Sequence, residues 1–183
     1  MKTTPATYTS RHGTLLVLKK SLTKTGKPRY VFVRELKPGE EAATEIPAGY
    51  EISESPNGLV SLVKIQPKLI PEADVLIIEK ALKAKEVTPL CEAFVKSDSV
   101  TIYRADRASN TMRNPVNGVQ IKVQVNKQAL MKLEYSPLSQ DYALLRWSFR
   151  GECGWYYLES GDLAGLCKKY FRHIGRESFF ELI

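Results

Sequence analysis

Hydrophobic and polar residues alternate with a period of two along much of this chain, the pattern of β-strands with one buried face. Asn57-Gly58 stands between two such runs, and Asn-Gly favours a tight type I′ hairpin turn. Thr25-Gly26 marks an earlier turn in the same way. The pattern therefore predicts two β-hairpins before residue 66, formed by 14–20 with 29–34 and by 50–54 with 59–65.

Two later segments show the 3.6-residue spacing of amphipathic helices. They cover about 71–86, which begins at Pro71, and about 161–174, for which Ser160 is a suitable N-cap and Gly175 a suitable stop. Strands and helices are segregated more than alternated. The chain is therefore predicted to be α+β, with antiparallel β-hairpins and sheets and these two main helices.

A length of 183 residues suggests one domain or two small ones. Gln66-Pro67-Lys68 has the composition of a connector. We expect a small all-β module of two hairpins over 1–68 and an α+β domain over 69–183.

The C-terminal hairpin at 144–158 offers one candidate binding face. A loop of two or four residues around Gly151–Gly154 would place Arg150 opposite Trp155, with the guanidinium stacked on the indole. This register predicts a basic and aromatic face made of Arg146, Arg150, Trp155 and Tyr157. The opposite face, predicted to pack against Leu166 and Tyr170 of the following helix, would hold Trp147, Phe149, Tyr156 and Leu158.

The formal net charge of +7 comes from the two ends of the chain more than from its middle. In the first hairpin Lys24, Lys27 and Arg29 cluster at the tip, with Tyr30 and Phe32 close behind. Such a composition can neutralise phosphates and stack on bases. The alternative is a solvated hairpin tip whose aromatic residues face the core.

Local motifs for chemistry are few. The three cysteines form no Cys-x-x-Cys pair, and neither histidine has an evident catalytic partner, so we expect no metal site, no cofactor and no catalytic residue. No phosphate-binding glycine loop occurs. An enzyme whose site is assembled near the 144–158 hairpin, with Cys153 or Glu152 as the reactive group, stays open as an alternative.

The cysteine content suits a reducing compartment, and no stretch resembles a signal peptide or a membrane span. We therefore expect a cytoplasmic protein without a membrane partner. The sequence does not indicate an oligomeric state.

Three segments carry a resemblance to a known group of proteins. Gly26-Lys27-Pro28-Arg29-Tyr30-Val31-Phe32, followed by Ile46-Pro47-Ala48-Gly49-Tyr50-Glu51-Ile52 and Ser55-Pro56-Asn57-Gly58, resembles a pattern found in bacterial proteins of uncharacterised function. The resemblance covers about 40 residues. It implies a bacterial origin and says nothing about mechanism.

Taken together, the patterns favour a non-enzymatic binding module that engages nucleic acid or an acidic protein partner through basic and aromatic surfaces. Its candidate binding residues are Lys24, Lys27, Arg29, Arg146, Arg150, Trp155 and Tyr157. Besides the enzyme, the competing hypothesis is a purely structural protein in which the basic and aromatic face is an internal interface.

Overall fold

The protein has a mixed α+β fold in which antiparallel strands predominate. The computed structural model describes residues 6–84, 91–105, 126–149 and 153–182, together with the strand paths of 111–113 and 120–122. The chain divides into two compact units, Met1–Gln66 and Pro67–Ile183.

The first unit contains only β structure among its described residues. Its strands are β1 (Thr7–Thr9), β2 (Leu15–Leu22), β3 (Pro28–Val33), β4 (Glu41–Ala42), β5 (Tyr50–Glu54) and β6 (Val60–Lys64). Strand β2 pairs with β1, β3 and β4, and β5 pairs with β6. The predicted hairpins are β2–β3 and β5–β6, and the sequence reading missed the short strands β1 and β4.

Three turns of the first unit share one construction. In the loops 10–14, 23–27 and 55–59, a Ser or Thr comes first and a glycine with positive φ comes fourth. The amide of the first residue donates to the carbonyl of the fifth, and the hydroxyl of the first accepts from the amide of the fifth. The predicted type I′ turn at Asn57-Gly58 is wrong, because only Gly58 has positive φ. This five-residue loop needs one left-handed residue, whereas type I′ needs two.

The tip of the β5–β6 hairpin packs against the β1–β2 turn. Glu54 accepts hydrogen bonds from the Arg11 amide at 2.7 Å and from the Tyr8 hydroxyl at 3.0 Å. The imidazole of His12 lies so close to Gly58 that a β-carbon there would be 2.3 Å from its Cδ2 atom. Pro56 is fully buried beside this contact. The hairpin is thus fixed by its tip as well as by its strands.

The second unit is a five-stranded antiparallel sheet with two helices. Helix α1 (Glu72–Lys83) precedes β7 (Cys91–Val95), β8 (Ser99–Ala105), β9 (Thr111–Arg113), β10 (Gln120–Lys122), β11 (Lys127–Ser136), β12 (Asp141–Ser148), β13 (Gly154–Gly161) and α2 (Leu163–Tyr170). The sheet order is β13-β12-β11-β8-β7, and β9 pairs with β10 separately. Two 3₁₀ turns, Phe171–His173 and Glu177–Phe179, follow α2.

Both helices pack on the same face of the sheet. The buried core joins α1 and α2 to alternate residues of β8, β11 and β12, including Val100, Ile102, Met131, Leu133 and Leu144. The N-cap of α2 is Asp162, whose side chain accepts from the Gly165 amide at 2.8 Å, and not Ser160 as predicted. The opposite face of the sheet therefore carries the intervening residues of each strand.

Candidate nucleic-acid interface

The tip of the β2–β3 hairpin is a defined turn. Thr23 donates its amide to the Lys27 carbonyl at 2.8 Å and accepts the Lys27 amide on its hydroxyl at 3.1 Å. Gly26 supplies the left-handed residue, with φ of 76°. Two bonds across five residues fix the direction of the chain on each side of the tip.

Three cations of the tip are free of ion pairs. Lys24, Lys27 and Arg29 are exposed, and none of them forms an ion pair within the described residues. By contrast, Lys19 pairs with Glu40 at 2.7 Å, and its hydrogen bond holds the pKa of that carboxyl below its usual value. The local positive charge is therefore concentrated on the three exposed residues at the tip.

The aromatic residues behind this tip pack within the first unit. Phe32 contacts Tyr8, with ring centroids 6.3 Å apart, and lies opposite the fully buried Leu18. Tyr30 is half-buried and lines a shallow cleft with Lys20. This arrangement agrees with the alternative in which the aromatic residues face the core, and the tip contributes charge without stacking.

The register of the C-terminal hairpin differs from the predicted one. Trp147 lies opposite Trp155, and Ser148 lies opposite Gly154. The loop between the paired residues Ser148 and Gly154 therefore has five residues, whereas the prediction used a loop of two or four. An odd loop reverses which side chains share a face, so the predicted pairing is wrong throughout the hairpin. Arg150, the residue predicted to lie opposite Trp155, is outside the described residues.

The predicted basic and aromatic face is consequently divided. Arg146 lies opposite Tyr156 on the side that carries the helices, with its guanidinium carbon 5.9 Å from the centre of the Phe179 ring. Trp155 and Tyr157 point to the other side. Alternation turns Leu158 toward the core, and a bulge then places Glu159 opposite Leu144, on the helix side as well.

The predicted packing partners of α2 change with the register. Leu166 and Tyr170 are buried as expected, but the sheet side of their core holds Leu133, Tyr142 and Leu144. Trp147 is half-buried on the opposite side, and Phe149 is exposed. The predicted face of Trp147, Phe149, Tyr156 and Leu158 is therefore divided, since Leu158 packs against the core and Trp147 lies on the other side of the sheet.

The sheet face without helices carries a row of aromatic side chains. The Trp147 and Trp155 rings meet edge to face with centroids 5.2 Å apart, and the Lys132 ammonium lies 5.0 Å from the Trp155 ring. Tyr157 is next to them and is 60% exposed. Lys132 therefore takes the cation–π role that had been predicted for Arg150.

A second aromatic pair extends this row on the same face, toward the opposite edge of the sheet. Phe94 and Tyr103 are half-buried, with centroids 6.2 Å apart and planes at 89°. Strand pairing puts Phe94 opposite Thr101 and Thr101 opposite Lys132. We call these residues the aromatic sheet face: Phe94, Tyr103, Lys132, Trp147, Trp155 and Tyr157. Four of them were missed by the sequence reading, although period-2 alternation in β7 and β8 could have found Phe94 and Tyr103.

The aromatic sheet face contributes little net charge. Lys132 pairs with Glu134 at 2.5 Å, and Lys127 pairs with Glu92. The cation of this face and the lysine of the neighbouring pair are thus neutralised by acids. This surface is therefore aromatic and nearly neutral.

The described cysteines differ in burial, and one histidine contacts a serine hydroxyl. Burial raises the pKa of the Cys167 thiol to about 12 and raises that of Cys91 as well. Cys153 is exposed in the hairpin loop. The Nδ1 atom of His173 lies 2.8 Å from the Ser178 hydroxyl, and its Nε2 accepts from Arg172 at 3.2 Å.

Across the described ranges, no group of three or more His, Cys, Asp or Glu residues could hold a metal ion. The helices in the same ranges are all too short or too polar to cross a membrane. No family model, curated protein or solved structure matches the chain.

Proposed function

We propose that this protein is a non-enzymatic module that binds single-stranded nucleic acid. Bases stack on the aromatic sheet face of the second unit. The basic tip of the first unit is a separate surface that contacts phosphates. The supporting observation is the position of Trp147, Trp155 and Tyr157 on the sheet face opposite the helices. Stacking platforms require rings that a base can reach, and Tyr157 is 60% exposed.

Charge and stacking are supplied by different residues. Lys24, Lys27 and Arg29 are exposed and unpaired in the described part of the chain, so they can neutralise phosphates without breaking an internal ion pair. Lys132 of the aromatic sheet face is already paired with Glu134, and Lys127 is paired with Glu92. The two contributions should therefore produce different signatures, one dependent on salt and one independent of it.

The test is fluorescence anisotropy of labelled single-stranded DNA and RNA oligonucleotides, measured from low salt upward. Tyr157→Ala and Trp155→Ala should each weaken binding by about 5- to 100-fold, because stacking is worth about 1–3 kcal/mol per base. The slope of log affinity against log salt should stay unchanged. Replacing Lys24, Lys27 and Arg29 together by Gln should reduce that slope by about 2, since each phosphate contact on a single strand contributes about 0.7.

A matched control removes the same charge elsewhere. Arg34, Lys64 and Lys68 are also exposed, and replacing all three by Gln lowers the net charge equally. The control should keep the wild-type slope. An equal loss of slope in both triple variants would refute a specific role for the tip, and a wild-type protein that binds neither polymer at low salt would end the proposal.

An acidic protein is the second candidate partner. Leu22 beside the tip is 69% exposed, and protein interfaces combine apolar area with charge. Labelled polyglutamate tests it in the same assay. Binding of polyglutamate that needs the tip cations and Leu22, without binding of either nucleic acid, would favour this candidate.

A further inference from the structure

Two arginines of the second unit lie on the helix-bearing side of the sheet, on the strands that flank β11. The guanidinium carbon of Arg104 in β8 is 3.5 Å from the position that a β-carbon on Gly175 would occupy. Arg146 in β12 lies over the ring of Phe179. Both guanidinium groups thus border the same short segment after α2. We call Arg104 and Arg146 the arginine pair.

Within the described residues, the arginine pair has no carboxylate partner. The Nε atoms of both residues are fully buried and have no hydrogen-bond partner, and no described carboxylate is within ion-pairing distance of either. Both arginines are half-buried, so part of each side chain retains access to solvent. Arginine does not lose its proton in proteins, so each partly buried charge carries an uncompensated desolvation cost.

We propose that the arginine pair binds an oxyanion of the phosphate class. The guanidinium fork matches phosphate oxygens with two parallel hydrogen bonds, and two such cations suit a dianion. Arg172 and Arg176 are exposed on the bordering segment and add positive charge, while Glu177 is its exposed acid. This site lies on the opposite side of the sheet from the aromatic sheet face, and it stands whether or not the proposed function does.

Thermal unfolding in sodium phosphate tests the site, with sodium chloride at equal ionic strength as the reference. Phosphate should raise the Tm of the wild type with a dependence on concentration that flattens to a logarithmic rise above the Kd, because binding stabilises the native state by RT ln(1 + [L]/Kd). Arg104→Met and Arg146→Met should each weaken the apparent affinity about tenfold or more. The double variant should show only the small, linear increase with concentration that exclusion of phosphate from the surface gives any protein.

The double variant also separates binding from folding. Methionine replaces a buried, unpaired charge with an apolar chain, so its Tm in chloride should equal or exceed that of the wild type. Arg172→Gln is the matched surface control and should keep most of the phosphate response. A wild-type Tm that rises no more than that of the double variant would overturn the proposal, and so would a double variant that is strongly destabilised in chloride, since that result assigns an internal partner to the arginines.

Phosphate groups of small molecules and of nucleic acid share this chemistry, and a second arm distinguishes them. Unchanged oligonucleotide affinity in the double variant assigns the site to small phosphate compounds. A loss of that affinity, beside the loss of the phosphate response, assigns it to a nucleic-acid backbone.

Discussion

The hydrogen bond between Tyr142 and Asp74 ties the sheet to the first helix. The Tyr142 hydroxyl donates to Asp74 Oδ2 at 2.7 Å, the residue is only 2% exposed, and its ring is 5.1 Å from that of Tyr135. Tyr142→Phe removes the oxygen and keeps the ring. A hydrogen bond to a charged group contributes about 1.5–3 kcal/mol to the free energy of unfolding. We expect a loss near the lower value, because Asp74 is half-buried and water can reach it after the change.

Urea unfolding followed by tryptophan fluorescence measures this loss in the second unit, which contains the hydrogen bond. Both tryptophans, Trp147 and Trp155, belong to the second unit, so the signal is independent of the first. With an m-value of about 1.5 kcal/mol/M, the midpoint should fall by about 1 M. Tyr135→Phe is the matched control, because the Tyr135 hydroxyl makes no hydrogen bond within the described residues. A midpoint for Tyr142→Phe within about 0.2 M of the control would refute the reasoning.

The same substitution changes the response to alkaline pH. Burial first, and then the hydrogen bond to Asp74, raise the pKa of Tyr142 above its ordinary value of 10.0. Folding therefore favours the protonated phenol. Its contribution to stability is fully present below about pH 10 and is lost as the pH rises further. The free energy of unfolding of the Tyr142→Phe variant should therefore fall less than that of the wild type as the pH rises above about 10.

Two further predictions concern a glycine and the thiols. Gly58→Ala should destabilise the first unit more than Gly26→Ala does, because both glycines have positive φ but only Gly58 faces the His12 ring. Circular-dichroism melts measure the two losses. Equal losses of stability would contradict the contact between Gly58 and His12. In the native protein a maleimide should modify Cys153, which is exposed, much faster than Cys167, whose thiol is buried and has a pKa raised to about 12. Peptide mapping after short labelling checks the order, and early labelling of Cys167 would contradict its burial.

The alternation of residues predicts most strands of this protein to within a few residues, because one buried face imposes a period of two. The runs 50–54 and 59–65 became Tyr50–Glu54 and Val60–Lys64. Short strands such as Glu41–Ala42 have too few residues to show a period, and they depend on pairing with β2. Such strands cannot be predicted from the local sequence.

The candidate site was less predictable, because its register depends on the loop between β12 and β13. Nothing in the composition of that loop distinguishes four residues from five, yet the difference moves Trp147 from one face to the other. The prediction that Lys24 and Lys27 are exposed did not depend on the strand register, because a hairpin tip is exposed on every side. The sequence therefore located the charge and misplaced the aromatic rings.

The repeated turns of the first unit bear on how it folds. Each is closed by hydrogen bonds between residues only four positions apart, at 10–14, 23–27 and 55–59. Contacts this local form within microseconds and cost little loop-closure entropy. The first unit can thus begin folding at any of three places in the chain, and the contact between His12 and Gly58 joins two of these starting points once the strands have formed.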